Sequence, residues 1–483
     1  MQLKTEILRG IKWTAGAKFS GQLITWGVTI YVMRLLSPSD YGLMAMASVL
    51  LAFLSMFSEV GLGAALVQQK DVSTTKMRQV FGIVLFVNIL IFLILNLIAP
   101  WVGTFYAQPK LVDIVRILSI QFLLIPFCVF PEVLLQRQLE FKKRSLIDLG
   151  GAVLSSTATL FLALMDNGVW SLVFGNLIGQ AGKLVALNVI APFRELPSFS
   201  IKGMRDVLIF GRTVTASRFL WFFFTQADTV IIGRVLGETV LGMYAVAMHL
   251  ATLPAQRVSA ILNQVAFPVI SRFQHDRDLI AFQLLKAFNL ISFVAFPVLW
   301  GISSIAPELV VTVLGEKWVD AIVPLQILAL VMPFRTLVGF MPTITDALGR
   351  PEVGLQNVLL GFLLMPPAFY IGAHWGITGV SLAWVCIYPI VLYINSKRML
   401  NVIGLSVWAV MKKLSAPIMC AGGMYMTVAV TRMAMEMHVH TTTMLVTEIV
   451  LGGISYLLLS FAVNRHTLNE IMLMFGKKKP TRG

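Results

Sequence analysis

Charge is scarce in this chain. Of 483 residues, 13% are Asp, Glu, Lys or Arg, against about 25% in a soluble domain. Too few polar side chains are present to cover a fold in water, so a water-soluble globular architecture is excluded. Cysteine is scarcer still. Cys128, Cys386 and Cys420 are scattered and form no CxxC pair, which excludes a disulfide framework and a thiolate metal centre. The phosphate-binding pattern GxxxxGK[ST] and the zinc pattern HExxH are both missing, so ATP hydrolysis by the chain itself is unsupported. No polar stretch exceeds roughly twenty residues, which leaves no room for a soluble domain. No cofactor, metal site or catalytic residue is expected.

What the chain has in abundance is apolar side chain, 57% of residues. It is laid out in runs of ~20 residues, the length a helix needs to cross the hydrocarbon core. In lipid each backbone polar group must be satisfied within the spanning element, so only helices and closed barrels cross. The ten-residue alternation of a barrel is missing. The reading is an all-α polytopic membrane protein with about 14 transmembrane helices. The expected spans are 11–35, 42–67, 79–101, 112–136, 145–165, 169–190, 206–233, 240–268, 284–305, 320–347, 352–373, 377–396, 411–431 and 442–463. The basic start MQLKTEILRGIKW is followed by a long apolar stretch without a small-residue cleavage site, so the first span reads as retained, not as a cleaved signal. Prolines gather at 126 and 131, and again at 324, 333 and 342, where bent or broken helices are expected.

The net charge of +15 has a membrane explanation. With the N-terminus in the cytoplasm, 26 of the 38 basic residues fall on cytoplasmic segments and about six on external ones. This is the positive-inside bias. It puts both termini in the cytoplasm and makes a nucleic-acid partner unnecessary.

An internal repeat appears at an offset of 200. YVMRLLSPSDYGLMAMASVL (31–50) lies over IIGRVLGETVLGMYAVAMHL (231–250), and residues 10–50 match their counterparts at nine of 41 positions without a gap. Gly42 pairs with Gly242, Thr25 with Thr225, and the cations Lys12 and Lys18 with Arg212 and Arg218. Composition alone would not place costly intramembrane cations in register. Six spans separate the copies, so they run parallel. The expected domains are a six-helix lobe over 1–200, a second over 201–400, and a helix pair with a basic tail over 401–483. The substrate route is expected between the lobes.

Polar residues inside the spans fall into stripes. Lys18, Gln22, Thr25 and Thr29 share one helix face, and Arg218, Thr225 and Thr229 repeat the pattern with Asp228 beside it. Asn176, Gln180 and Lys183 form another stripe, as do Ser48, Ser55 and Glu59. Arg257 accompanies Gln264, and Arg335 accompanies Asp346, eleven residues on. One reading is snorkelling of the basic side chains to the interface. The other is a cationic cavity of Lys18, Arg218, Arg257, Arg335 and Lys183, lined by Gln22, Thr25 and Thr225, that binds a phosphate or pyrophosphate. Glu59 and Asp228 are candidates for ion coupling, since desolvation moves a buried carboxyl toward neutrality. Their alternative is a structural ion pair.

Six segments carry a family likeness: GIKWTA (10–15), SEVGLGAALVQQKDVS (58–73), LQRQLEFKK (135–143), DTVIIGRVLGETVLGMYAVA (228–247), AFPVISRFQHD (266–276) and VLGEKWVDAIVPLQIL (313–328). The chain resembles the polysaccharide-transporter branch of the multidrug/oligosaccharidyl-lipid/polysaccharide flippase superfamily, and within it Wzx-type flippases of the colanic-acid-exporter kind. The resemblance implies a non-enzymatic transporter in the bacterial cytoplasmic membrane. Its cargo would be an undecaprenyl-pyrophosphate-linked oligosaccharide, flipped to the periplasmic leaflet by alternating access. A polysaccharide polymerase and a chain-length regulator are the implied protein partners. Two alternatives remain at this level. An ion-coupled multidrug efflux protein of the same superfamily would favour acids and aromatics in its cavity. A membrane polysaccharide polymerase would carry a large external loop.

Overall fold

A computed structural model describes residues 25–58, 73–138, 140–200, 219, 222–272, 277–339, 344–346, 348–435, 440–465 and 467–468, without the side chains of 141, 255–272 and 351. Among the described residues the regular structure is helical, with no strand. The named helices are α1 (Pro38–Ser58), α2 (Thr74–Phe105), α3 (Lys110–Ser119), α4 (Gln121–Arg137), α5 (Phe141–Leu164), α6 (Val169–Ile190), α7 (Gly237–Arg272), α8 (Arg277–Ser304), α9 (Ala306–Leu309), α10 (Ile322–Val338), α11 (Pro351–Ala373), α12 (Gly376–Cys386), α13 (Tyr388–Ile403), α14 (Val407–Met435) and α15 (Thr441–Val463). Residues 25–35 and 222–235 are also helical.

Eleven spans among the described residues are long and apolar enough to cross a membrane. The remaining expected spans, 11–35, 206–233 and 240–268, are helical wherever they are described. Outward-facing side chains such as Leu97, Trp101, Val189 and Leu458 are exposed and apolar. Water would not solvate such a surface, and lipid does. The protein is a multi-pass membrane protein.

Local sequence explains where the helices begin and end. Ser37 caps α1, whose first residue is Pro38. The Ser37 backbone N–H and hydroxyl donate to Asp40 Oδ2 at 2.9 and 2.6 Å, and Asp40 N–H returns a bond to Ser37 Oγ at 3.3 Å. This is a capping box with proline at the position where its missing N–H costs nothing. Ser73 caps α2 by accepting from Lys76 N–H at 3.2 Å. At the other end of a helix, Gly404 takes a left-handed φ of 80° after α13. Leu405 N–H reaches back to Leu400 O at 3.0 Å, so the last carbonyls are satisfied. The span expected at 112–136 is interrupted at Ile120, ahead of Pro126, and α4 then runs through Pro126 and Pro131.

The chain divides into two compact units, residues 1–242 and 243–483. In the first, α5 and α6 pack along a seam of small residues. A Cβ on Gly175 would meet Thr159, one on Gly179 would meet Ser155, and one on Gly182 would meet Leu154. Without a hydrophobic drive between helices in lipid, such close approach is what holds them together. In the second unit, Gly372 of α11 and Gly379 of α12 meet in the same way. Asn88 of α2, fully buried, donates to Ser58 O and Val84 O, both at 2.8 Å, and so ties α2 to α1.

Candidate functional site

In the first unit, two of the polar stripes converge. Ser48 and Ser55 of α1, Gln121 of α4, and Asn176 and Gln180 of α6 line a cavity of about 300 Å³. Gln180 Nε2 donates to Gln121 Oε1 at 3.4 Å. Asn176 Oδ1 is buried without a hydrogen-bond partner among the described residues. Beside the apolar Met44, Leu51, Ala52, Leu118 and Ile125, these hydroxyls and carboxamides offer both donors and acceptors without formal charge.

Lys183, one turn further along α6, carries a positive charge that is already neutralised. Its Nζ lies 2.6 Å from Glu132 Oε1 and 3.0 Å from Asp148 Oδ1, and Arg144 Nη2 approaches Glu132 Oε2 at 3.7 Å. Two cations and two carboxylates from α4, α5 and α6 balance. An anion binding at Lys183 would have to displace them.

In the second unit, Arg335 of α10 has no such partner among the described residues. Among the described residues no carboxylate reaches its guanidinium, which lies 4.7 Å from the centroid of the Trp384 ring. Trp384 is buried, and its Nε1 donates to Tyr244 Oη at 3.0 Å. Phe369 and Tyr388 pack on the same indole, each with ring centroids 5.3 Å away. An aromatic shelf attracts the cation through its quadrupole. It uses none of the guanidinium N–H groups, which remain in a fork suited to phosphate oxygens. The expected pairing of Arg335 with Asp346 on one helix face does not hold. α10 ends at Val338, and Asp346 is an exposed residue of a separate short segment, 344–346. The helix stops before the eleven-residue stripe is complete.

The other sequence candidates are distributed as follows. Lys18, Gln22, Arg218 and Glu59 lie outside the described residues, as does the Arg257 side chain, although its backbone belongs to α7. Thr25 is half-buried in the helical segment 25–35. Thr225 Oγ1 donates to Phe222 O at 3.1 Å. Asp228 is buried, and its Oδ1 accepts from Thr229 N–H at 2.7 Å and from Thr229 Oγ1 at 3.3 Å.

Two features are absent from the sequence-derived set. One is an apolar groove of about 470 Å³ on the second unit, lined by Phe288, Phe334, Leu337, Tyr393, Trp408 and Met411 among others. The other is a triad of two buried acids, Glu308 (α9) and Glu448 (α15), around Arg432 (α14). Glu448 sits in the middle of an apolar run, a signal that marks an intramembrane acid, but the acids singled out in the sequence were Glu59 and Asp228. Glu308 lies in a short segment outside the expected spans, so its grouping with Glu448 was not legible.

The family described as "Polysaccharide biosynthesis protein" matches residues 31–323. The teichuronic acid biosynthesis protein TuaB of Bacillus subtilis is 26% identical, over 81% of this chain and 80% of its own length. The lipopolysaccharide biosynthesis protein WzxC of Escherichia coli is 25% identical, over 80% of this chain and 79% of its own. The succinoglycan biosynthesis transport protein ExoT of Rhizobium meliloti is 25% identical, over 98% and 96%. Among solved structures, the lipid II flippase MurJ in an inward closed conformation superposes with a TM-score of 0.78, at 14% identity, over 94% of this chain and 99% of its own. An inward-facing MATE-family multidrug resistance transporter gives 0.59, at 14% identity, over 83% and 98%. These two likenesses concern the fold.

Proposed function

Since the chain belongs to the polysaccharide biosynthesis protein family, we propose that it moves a lipid-linked oligosaccharide across the bacterial cytoplasmic membrane by alternating access. The observation that carries this reading is Arg335. Its guanidinium rests on Trp384 with no carboxylate partner among the described residues. A half-buried cation held by an aromatic face, and not by an acid, suits an anionic headgroup such as the pyrophosphate of an undecaprenyl carrier. The apolar groove beside α10 and α14 offers a surface for hydrocarbon, and the uncharged cavity of the first unit offers donors and acceptors for sugar hydroxyls.

Lys18, Arg218 and Arg257 extend the proposed cationic route by sequence, with Gln22, Thr25 and Thr225 along it. Glu59 and Asp228 are the proposed ion-coupling groups. The basic bias of the connecting segments supports an orientation with both termini in the cytoplasm. A polysaccharide polymerase and a chain-length regulator would receive the flipped product.

The test is reconstitution. Purified protein in liposomes carrying an undecaprenyl-pyrophosphate oligosaccharide should make the inner-leaflet glycan accessible to an external glycosidase. Liposomes with protein that protect the glycan as well as protein-free ones would overturn the proposal. A drug-susceptibility panel on a deletion strain separates this activity from multidrug efflux.

A further inference from the structure

The triad Glu308, Arg432 and Glu448 plays no part in the cationic route, and its charges do not balance. Arg432 gives a two-point fork to one carboxylate: Nε donates to Glu308 Oε1 at 2.8 Å and Nη2 to Glu308 Oε2 at 2.6 Å. Nη2 also donates to the Ser304 carbonyl at the end of α8. Glu448 receives what remains, a 3.4 Å approach of Arg432 Nε to its Oε1. Among the described residues neither Glu448 oxygen has a hydrogen-bond donor, and the side chain is fully buried. Both carboxyl groups reach the same Nε, at 2.8 and 3.4 Å, so their nearest oxygens are within about 6 Å of each other.

One half-buried guanidinium therefore faces two buried acids. With both acids ionised the cluster would be net negative, and one carboxylate would be buried without a donor, an arrangement disfavoured by both desolvation and like-charge repulsion. Among the described residues, no other charged group relieves it. Among the described residues, Glu308 from α9 and Arg432 from α14 are the charged partners that face Glu448. On α15 itself, His440 is exposed at the start of the helix, eight residues away. The outer face of α15, with Val446, Ile449, Val450 and Ile454, is apolar and exposed. Nothing in the packing of such a helix requires an acid on its inner face.

We infer that Glu308, Arg432 and Glu448 form a binding site for a single proton, held on Glu448 and released during the transport cycle. The inference rests on the transport reading above and gives it a coupling site in the last helix pair. Uptake forms an O–H bond on Glu448 from a hydronium ion and leaves water. Release returns the proton to water, and Arg432 then pairs with the Glu448 carboxylate. In the proposed orientation the site lies toward the outer surface, at the end of α8 opposite the basic residues Arg277 and Lys286.

Glutamine separates a coupling role from a structural one, because it reproduces the neutral carboxyl in shape but cannot lose a proton. The measurements are infrared titration of the purified protein in vesicles, and glycan export in a deletion strain expressing each variant. Wild type should show a protonated-carboxyl C=O band that appears as pH falls and is absent in Glu448→Gln. Export by Glu448→Gln should fall at least tenfold with its thermal midpoint unchanged, and Glu448→Asp should retain part of it. Glu308→Gln, a second variant, should also remove the band, since Arg432 then serves one carboxylate. Wild-type export by Glu448→Gln, or a band unaltered in both glutamine variants, would overturn the inference. Should wild type move no lipid-linked glycan, the transport reading fails, while the infrared band still decides whether Glu448 takes up a proton.

Discussion

Gly42 and Gly242, equivalent positions of the 200-residue repeat, approach each other so closely that neither has room for a side chain. A Cβ on Gly42 would overlap the Glu238 carbonyl, and a Cβ on Gly242 would overlap the Pro38 carbonyl. Pro38 and Glu238 are themselves equivalent in the repeat, so the contact is reciprocal. It joins the start of α1 to the start of α7. Gln108 adds a polar tie by donating from Nε2 to Glu238 Oε2.

Alanine at either glycine must push backbone against backbone, which side-chain rotation cannot relieve. Gly42→Ala and Gly242→Ala should each lower stability by about 1–3 kcal/mol, the usual cost of overpacking. Thermal unfolding of the purified protein measures this. Gly150→Ala is the control, because a Cβ there meets nothing within 4 Å. It should be neutral, or stabilising by about 0.5–1 kcal/mol, as expected for replacing a helical glycine. Equal midpoints for all three variants would show that the close approach does not exist in solution.

The eleven spans that the described residues contain were legible because each needs only a run of apolar residues, a local property of the chain. Proline positions were less informative: α4 continues through Pro126 and Pro131, and the interruption at Ile120 carries no proline at all. Which charges meet was not legible. Glu132 lies 51 residues before Lys183, and Glu308 lies 124 before Arg432, so helix packing alone decides these pairs. The same packing gave the stripe of Asn176 and Gln180 its counterpart in Ser48 and Ser55. Periodicity placed each pair on a face but could not say which faces touch.

Arg335 should be indispensable for transport and nearly dispensable for folding. Loss of its contact with Trp384 should cost about 0.5–2 kcal/mol. Arg335→Ala should therefore remain folded while glycan export falls at least tenfold. Arg335→Lys keeps the charge but loses the planar fork, so its export should lie between the two. Undiminished export in both Arg335→Ala and Arg218→Ala would remove the cationic route.

Lys183 should behave in the opposite way. Removing its ammonium leaves Glu132 and Asp148 facing each other without their shared donor. These groups are partly exposed, which limits the penalty, and Lys183→Met should cost about 1–2 kcal/mol. Adding Glu132→Gln to Lys183→Met should restore part of the loss. Export should follow the amount of folded protein and no more. A Lys183→Met protein with wild-type stability and no export would instead place Lys183 on the cargo route.

Asn88 gives the sharpest ordering of variants. Its Nδ2 donates to two carbonyls, Ser58 O and Val84 O, in a site closed to water. Asn88→Leu removes the donor and leaves both carbonyls with one partner fewer, at a cost of about 1–3 kcal/mol. Asn88→Asp keeps the shape but turns an acceptor, and a charge when ionised, toward those same carbonyls. It should be the more damaging of the two, because repulsion is added to the lost bonds. Chemical or thermal unfolding should rank wild type above Asn88→Leu and Asn88→Leu above Asn88→Asp. An aspartate variant at least as stable as the leucine variant would mean that the side chain does not donate to these carbonyls.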